Sequence, residues 1–224
     1  LLFLGAGSLL SATHTRNVEE YGGLLRRMPW TGACFLIGAV SISALPPTNG
    51  FVSVWLVFQT LFQSVQVPSL LMKLMLPVAA AMLALTGVLA LVCFAKAFGI
   101  SFLALPRSSH ARGAEEVPWT MRIGMIVLAA VCVLLGLAPT VVVPLLDHAI
   151  QPMIGNSIAA QMLALGGWTV IPVGAEFSSL SSPALALLLA GSAMAALALT
   201  ALAGGRHAKR YVRTWGCGLK LSPR

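Results

Sequence analysis

Lys96 is the side chain best placed to do chemistry, because it is the only ionisable residue well inside an apolar run, 77–105. Eleven residues separate it from Arg107, about 16 Å of helix at 1.5 Å per residue. An ammonium at that depth is expected to face protein or water and to carry charge. The plainer reading is a lysine that snorkels to the interface. His14 stands where the first apolar run, 1–13, meets polar sequence. Its imidazole could deliver protons, or it could be a surface histidine. The third feature is a break in the greasy segment 28–66, at Pro46, Pro47, Thr48, Asn49 and Gly50, with Ser53 just beyond.

The break matters because proline has no N–H to donate, so the carbonyls near Ile42 and Ser43 lose their helical partners. In hydrocarbon each such loss costs several kcal/mol, so breaks persist only where protein or trapped water satisfies them. Ser41, Ser43, Thr48, Asn49 and Ser53 are expected to do so. A single proline can be a packing kink. Two prolines followed by Thr-Asn-Gly stop the helix and leave two opposed dipole ends at depth, as transporters use to hold ions or protons near the midplane.

Other chemistry is not legible. Nucleophile-elbow, phosphate-loop and dinucleotide signatures are absent. The four cysteines, Cys34, Cys93, Cys132 and Cys217, are scattered, as are the four histidines. No catalytic, cofactor-binding or metal-ligating set is expected in this chain.

The elements that position these residues follow from composition. Of 224 residues, 58% are hydrophobic and 9% charged, against roughly 25% charged in a soluble domain. With a mean hydropathy of +0.91, the chain is expected to be an all-α integral membrane bundle of about five transmembrane segments in contact with lipid. It opens in mid-run without a basic leader, and reads as preceded by more sequence. Spans are expected at 1–13 (partial), 28–66 (discontinuous, broken at 46–50), 77–105, 119–146 and 183–203. A connector at 147–182 could hold a surface helix at 158–165.

Charge decides whether 28–66 crosses once or twice. With one crossing, the loops 14–27 and 106–118 and the tail 204–224 share a side, gathering almost all Lys and Arg there and leaving Lys73 opposite. Two crossings mix the charges. The single crossing obeys the positive-inside rule and places those loops and the tail in the cytoplasm, in a multi-pass inner-membrane protein. The net charge of +8 is therefore a topology signal. A nucleic-acid partner is not expected, since no aromatic residues interleave a basic groove. In 14–27, Asn17 and Glu20 have capping-box spacing, and Gly22-Gly23 would end a short interfacial helix. Gly5, Ser8 and Ala12 line one side of the first helix, as close helix approach in lipid requires.

The stretches LLFLGAGSLLSATHTRNVEEYGGLLRRMPW, LPPTNGFVSVWL, CFAKAFGISFLALPR and TWGCG resemble the proton-translocating antiporter-like subunits of respiratory complex I and membrane-bound hydrogenases. The likeness is nearest to the hydrogenase-4 and formate hydrogenlyase branch, and covers 1–107 and part of the tail. It implies the C-terminal part of a longer subunit with two inverted repeats, 28–66 being the second broken helix. It further implies neighbouring membrane subunits, protons or sodium as the transported ion, and nickel–iron, iron–sulfur or quinone sites only on those partners. An Mrp-type cation/proton antiporter, or an anchor subunit that no longer conducts, are the alternatives. The family carries an ionisable residue in the first turn after the break, where this chain has Val54. On a helical wheel Ser53, Gln59, Thr60 and Gln63 share an arc that excludes Val54. The family also carries a lysine in the stretch matching Lys96.

Overall fold

The computed structural model describes residues 1–62, 68–138 and 181–204. They form an all-helical membrane protein: α1 (Leu2–Thr13), α2 (Pro29–Ile42), α3 (Asn49–Phe62), α4 (Leu70–Phe102), α5 (Ser109–Gly113), α6 (Trp119–Leu137) and α7 (Ser182–Gly204). Among the described residues, α4, α6 and α7 are long and apolar enough to cross a membrane, while α1, α2 and α3 are shorter apolar helices. The surface helix expected at 158–165 and the basic tail lie outside the described residues.

The chain divides into two compact units, 1–186 and 187–224. In the first, α2 packs against α1, α4 and α6, and α3 against α4 and α6. Lipid tails are as apolar as leucine, so helices here associate by close packing and hydrogen bonds rather than by hiding from water. Gly5 illustrates the first, since a Cβ there would lie 2.8 Å from the Phe35 ring. Gly5 and Ser8 are both buried. The core gathers Leu9, Leu24, Met28, Phe35, Phe102 and Met125, with Phe102 tilted against Phe35 and stacked on Phe98 at centroid distances of 5.3 and 5.2 Å. The second unit takes up most of α7, whose side chains over 187–202 are exposed.

Element ends differ from the expected ones for local reasons. α4 starts at Leu70 and keeps Pro77 inside it. The carbonyl that proline leaves unpaired is that of Lys73, four residues back, near the helix start where headgroups can satisfy it. Its other end stops at Phe102, because Ala104 turns left-handed (φ 66°). α6 stops at Leu137, since Ala138 precedes Pro139 and leaves the helical region (φ −123°, ψ 62°), as residues before proline do. Asn17 caps only one 3-10 turn, Val18–Glu20: its Oδ1 accepts from the Glu19 N–H at 3.1 Å. Gly22 and Gly23 follow with φ of 128° and 66°.

The two loops flanking this bundle interlock. The Gly23 N–H donates to the Leu103 carbonyl at 2.7 Å, and Ser108 Oγ donates to the Glu20 carbonyl at 2.8 Å. Both loops therefore lie at one end of the bundle, the arrangement that one crossing by α2 and α3 together requires.

Candidate functional site

Helical structure stops at Ile42 and resumes at Asn49. The unwound stretch is thus 43–48, shifted upstream of 46–50, and Asn49 and Gly50 belong to the first turn of α3. The reason is a helix stop that precedes the prolines. Ala44 is left-handed (φ 53°); its N–H donates to the Ser41 carbonyl, and the Leu45 N–H reaches back to Val40, each at 3.1 Å. This double bond pattern is the Schellman motif, usually built on glycine. With the Ala44 and Leu45 amides so used, and the Thr48 N–H on Leu45 O at 3.3 Å, only Pro46 and Pro47 stand opposite the Ile42 and Ser43 carbonyls. Neither can donate. An alanine held left-handed costs about 1 kcal/mol, so Ala44→Gly should raise the unfolding free energy of the membrane domain by about that amount, read as a higher thermal midpoint in detergent.

Side chains knit the break. Ser41 Oγ donates to Asn49 Oδ1 across it, and Thr48 Oγ1 donates to the Leu45 carbonyl at 2.7 Å. Ser41, Ser43, Thr48 and, further along α3, Gln59 are buried. Ser43 Oγ has no hydrogen-bond partner among the described residues, nor has the buried Trp55 Nε1. Two glycines make the close packing possible. A Cβ at Gly50 would overlap the Ser41 carbonyl, and one at Gly136 of α6 would overlap the Pro47 carbonyl and the Thr48 backbone. The result is a polar seam in which Ser41, Ser43 and Thr48 are buried among apolar helices, beside two carbonyls that face prolines. Such a seam can hold water or coordinate a hard cation through oxygen. The unwound residues 43–48 contain no acid or base.

The remaining sequence candidates do not gather at this seam. Ser53 is exposed, and its Oγ bonds the Gly50 carbonyl at 3.0 Å. Thr60 is likewise exposed and bonds Val57 O at 2.7 Å. The polar arc expected on α3 therefore splits: Val52 and Gln59 form the buried side, roughly 100° from Ser53 and Thr60 at 3.6 residues per turn. Val54 is half-buried. Gln63 lies outside the described residues. Lys96 is exposed on α4, six residues before its end at Phe102, about 9 Å of helix. Its side chain points out of this bundle. His14 ends α1 with a left-handed backbone (φ 55°), its N–H on Leu10 O. Its exposed side chain lines a cleft of about 260 Å³ with Ser11, Glu115 and Glu116. Of the cysteines, Cys34 is buried, Cys132 half-buried and Cys93 exposed. Among the described residues, no three His, Cys, Asp or Glu come together as metal ligands.

Three contributors escape sequence reading: Ala44, Gly136 and Glu116. Glu116 binds the start of α2 at Trp30 N (2.9 Å) and Thr31 Oγ1 (2.6 Å). One sequence signal existed for it. Four of the six acidic residues, Glu19, Glu20, Glu115 and Glu116, sit in the two otherwise basic loops.

Fold and seam define a multi-pass membrane subunit built around a discontinuous helix. The comparisons with known proteins point the same way. Residues 1–84 match the family described as NADH:quinone oxidoreductase/Mrp antiporter, transmembrane. Hydrogenase-4 component B of Escherichia coli is 43% identical over 189 residues, 84% of this chain and 27% of that protein. Formate hydrogenlyase subunit 3 of the same organism is 31% identical over 220 residues, 97% of this chain and 33% of that protein. A chain in the solved membrane-bound sulfane sulfur reductase, an archaeal respiratory membrane complex, shares the fold. Its TM-score is 0.69 at 22% identity, covering 98% of this chain and 33% of that one. The chain belongs to the antiporter-like membrane-subunit family, and spans a third or less of the curated relatives it matches.

Proposed function

We propose that this chain is part of a subunit that moves protons, or sodium, across the inner membrane, within a hydrogenase or complex I-like assembly. One observation carries the reading: a membrane helix is stopped and restarted around a polar seam whose Ser41, Ser43 and Thr48 are buried in an apolar bundle. Keeping such groups in hydrocarbon is costly unless they do something. Charge passes the seam on water or as an oxygen-coordinated cation. Lys96, facing outward from α4, relays it to the protein covering that face. His14, in its cleft, exchanges with the cytoplasm, where both interlocked loops reside. Electron transfer, with its nickel–iron, iron–sulfur or quinone groups, belongs to partner subunits, and the likeness to two hydrogenase and formate hydrogenlyase subunits supports that division.

The test uses inverted membrane vesicles holding the complete complex, driven by its electron donor. Wild-type vesicles acidify in a protonophore-sensitive way, or accumulate sodium in a sodium-dependent way. Lys96→Ala is expected to bring ion movement toward background while the assembled complex persists. Ordinary movement in the assembled variant removes Lys96 from the path. Vesicles that oxidise donor without moving either ion leave the anchor reading. That reading draws on one specific residue, Val54, which offers no proton where the resembling subunits are ionisable. Val54→Glu separates the two: a gain in pumping means a path lacking one link.

A further inference from the structure

The least expected contact in the molecule joins the loop before α6 to the start of α2. Glu116 Oε2 accepts from the Trp30 N–H at 2.9 Å, and Oε1 accepts from Thr31 Oγ1 at 2.6 Å, across 86 and 85 residues of sequence. The first amides of a helix have no partner of their own, and here no local side chain serves: the cap position is Met28 and the first helical residue is Pro29. Nothing in α2's first turn is acidic. A carboxylate delivered from elsewhere therefore meets both an orphan amide and the positive end of the helix dipole, an especially favourable pairing. Thr31 is fully buried, so its hydroxyl has only this protein partner to satisfy it.

Glu116 is itself held. Val117 beside it is buried, and its carbonyl accepts from Arg122 Nε at 2.6 Å. Ala111 and Ala114 are buried in the core, and Ser108, which caps α5, donates to Glu20 in the other loop. The carboxylate thus sits on a braced loop. α2 runs from this anchored end to the unwound residues, 14 residues and about 21 Å along the axis.

The geometry points to Glu116 as the positioning residue of the first half-helix. It fixes the axial and rotational setting of α2, and through it the place of Ser41, Ser43 and the unpaired carbonyls at the seam. The half-helix cannot be set by backbone continuity with α3, because that continuity is broken, and an anchor at its far end supplies the missing constraint. The consequence for ion movement rests on the function proposed above; the anchoring does not.

The experiment uses the full-length subunit in its membrane complex, with Glu116→Ala, Glu116→Gln and Thr31→Val, the double variant Glu116→Gln/Thr31→Val, and Glu115→Ala as control. Two readouts are taken: hydrogen exchange over α2, and ion movement at saturating electron donor. Charge-assisted bonds of this kind are worth about 1.5–3 kcal/mol, so exchange in the first turn of α2 should rise about 10- to 100-fold in Glu116→Ala. Glu116→Gln keeps one acceptor oxygen and should lie between. Effects of Glu116→Gln and Thr31→Val should be non-additive, and Glu115→Ala should leave exchange over α2 unchanged. Ion movement should fall in the order of loosening. Unchanged exchange in Glu116→Ala, or additive effects in the double variant, overturns the anchor. Loosened exchange with full ion movement overturns its positioning role. A wild-type complex that moves no ion counts against the proposed function, and the exchange arm still decides the anchor.

Discussion

Gly136→Leu in the complete subunit should abolish ion movement and destabilise the membrane domain by about 3 kcal/mol, the upper end of the usual range for an overpacked interior. Even a methyl at this position meets backbone, not the pliable end of a side chain: the Pro47 carbonyl and the Thr48 main chain occupy its place. Both belong to the seam, and Thr48 is buried and bonded to Leu45. The seam can yield only by moving α6 away from α3, against which it packs, or by shifting the unwound chain. Gly124 in the same helix provides the control, because a Cβ there meets nothing within 4 Å. Gly124→Ala should be neutral or gain the helix preference of alanine, about 1 kcal/mol. The measurement is thermal unfolding of the purified complex, beside ion movement in vesicles. Equal behaviour of the Gly136 and Gly124 variants would sink the argument.

Gly50→Ala should have the second-largest effect, for a related reason on the other side of the seam. The added methyl falls on the Ser41 carbonyl, which already accepts the Ala44 N–H that closes the stop of α2. Room can be made only by breaking that stop or by parting Ser41 Oγ from Asn49 Oδ1. Either leaves a buried polar group without its protein partner, about 1–3 kcal/mol, on top of the strain. The expected result is a loss of roughly 2–4 kcal/mol and of most ion movement, with the subunit still inserted. Combining Gly50→Ala with Ala44→Gly should recover part of the stability, because glycine lets the stop readjust. A Gly50→Ala complex that pumps normally means the tight crossing of the half-helices is only packing.

The two glycines show where sequence reading reaches its limit. Pro46, Pro47 and the surrounding polar residues announced a broken membrane helix, because proline's missing donor and the low charge of the chain are local, additive properties. The gathering of Lys and Arg announced which loops share a side, since the positive-inside preference acts on residues near span ends wherever the helices then pack. The membrane class and the all-α architecture were legible on the same grounds.

What satisfies the break was legible only in part. Of the five residues expected to serve it, Ser41, Asn49 and Thr48 do, whereas Ser53 faces outward and bonds its own helix. Lys96 was placed about 16 Å from Arg107 in a span expected to end at 105, whereas α4 ends at Phe102 because Ala104 turns left-handed. The partners of Glu116 and Gly136 were not readable, because they lie 85 and about 90 residues away in sequence; the acidic pairs in two basic loops marked Glu116 but not what it binds. Hydropathy, proline and charge act through the solvent around one segment, so a single chain of letters carries them. Hydrogen bonds and steric fit act only between groups that the packing brings within a few ångströms, and only the tertiary structure decides which groups those are.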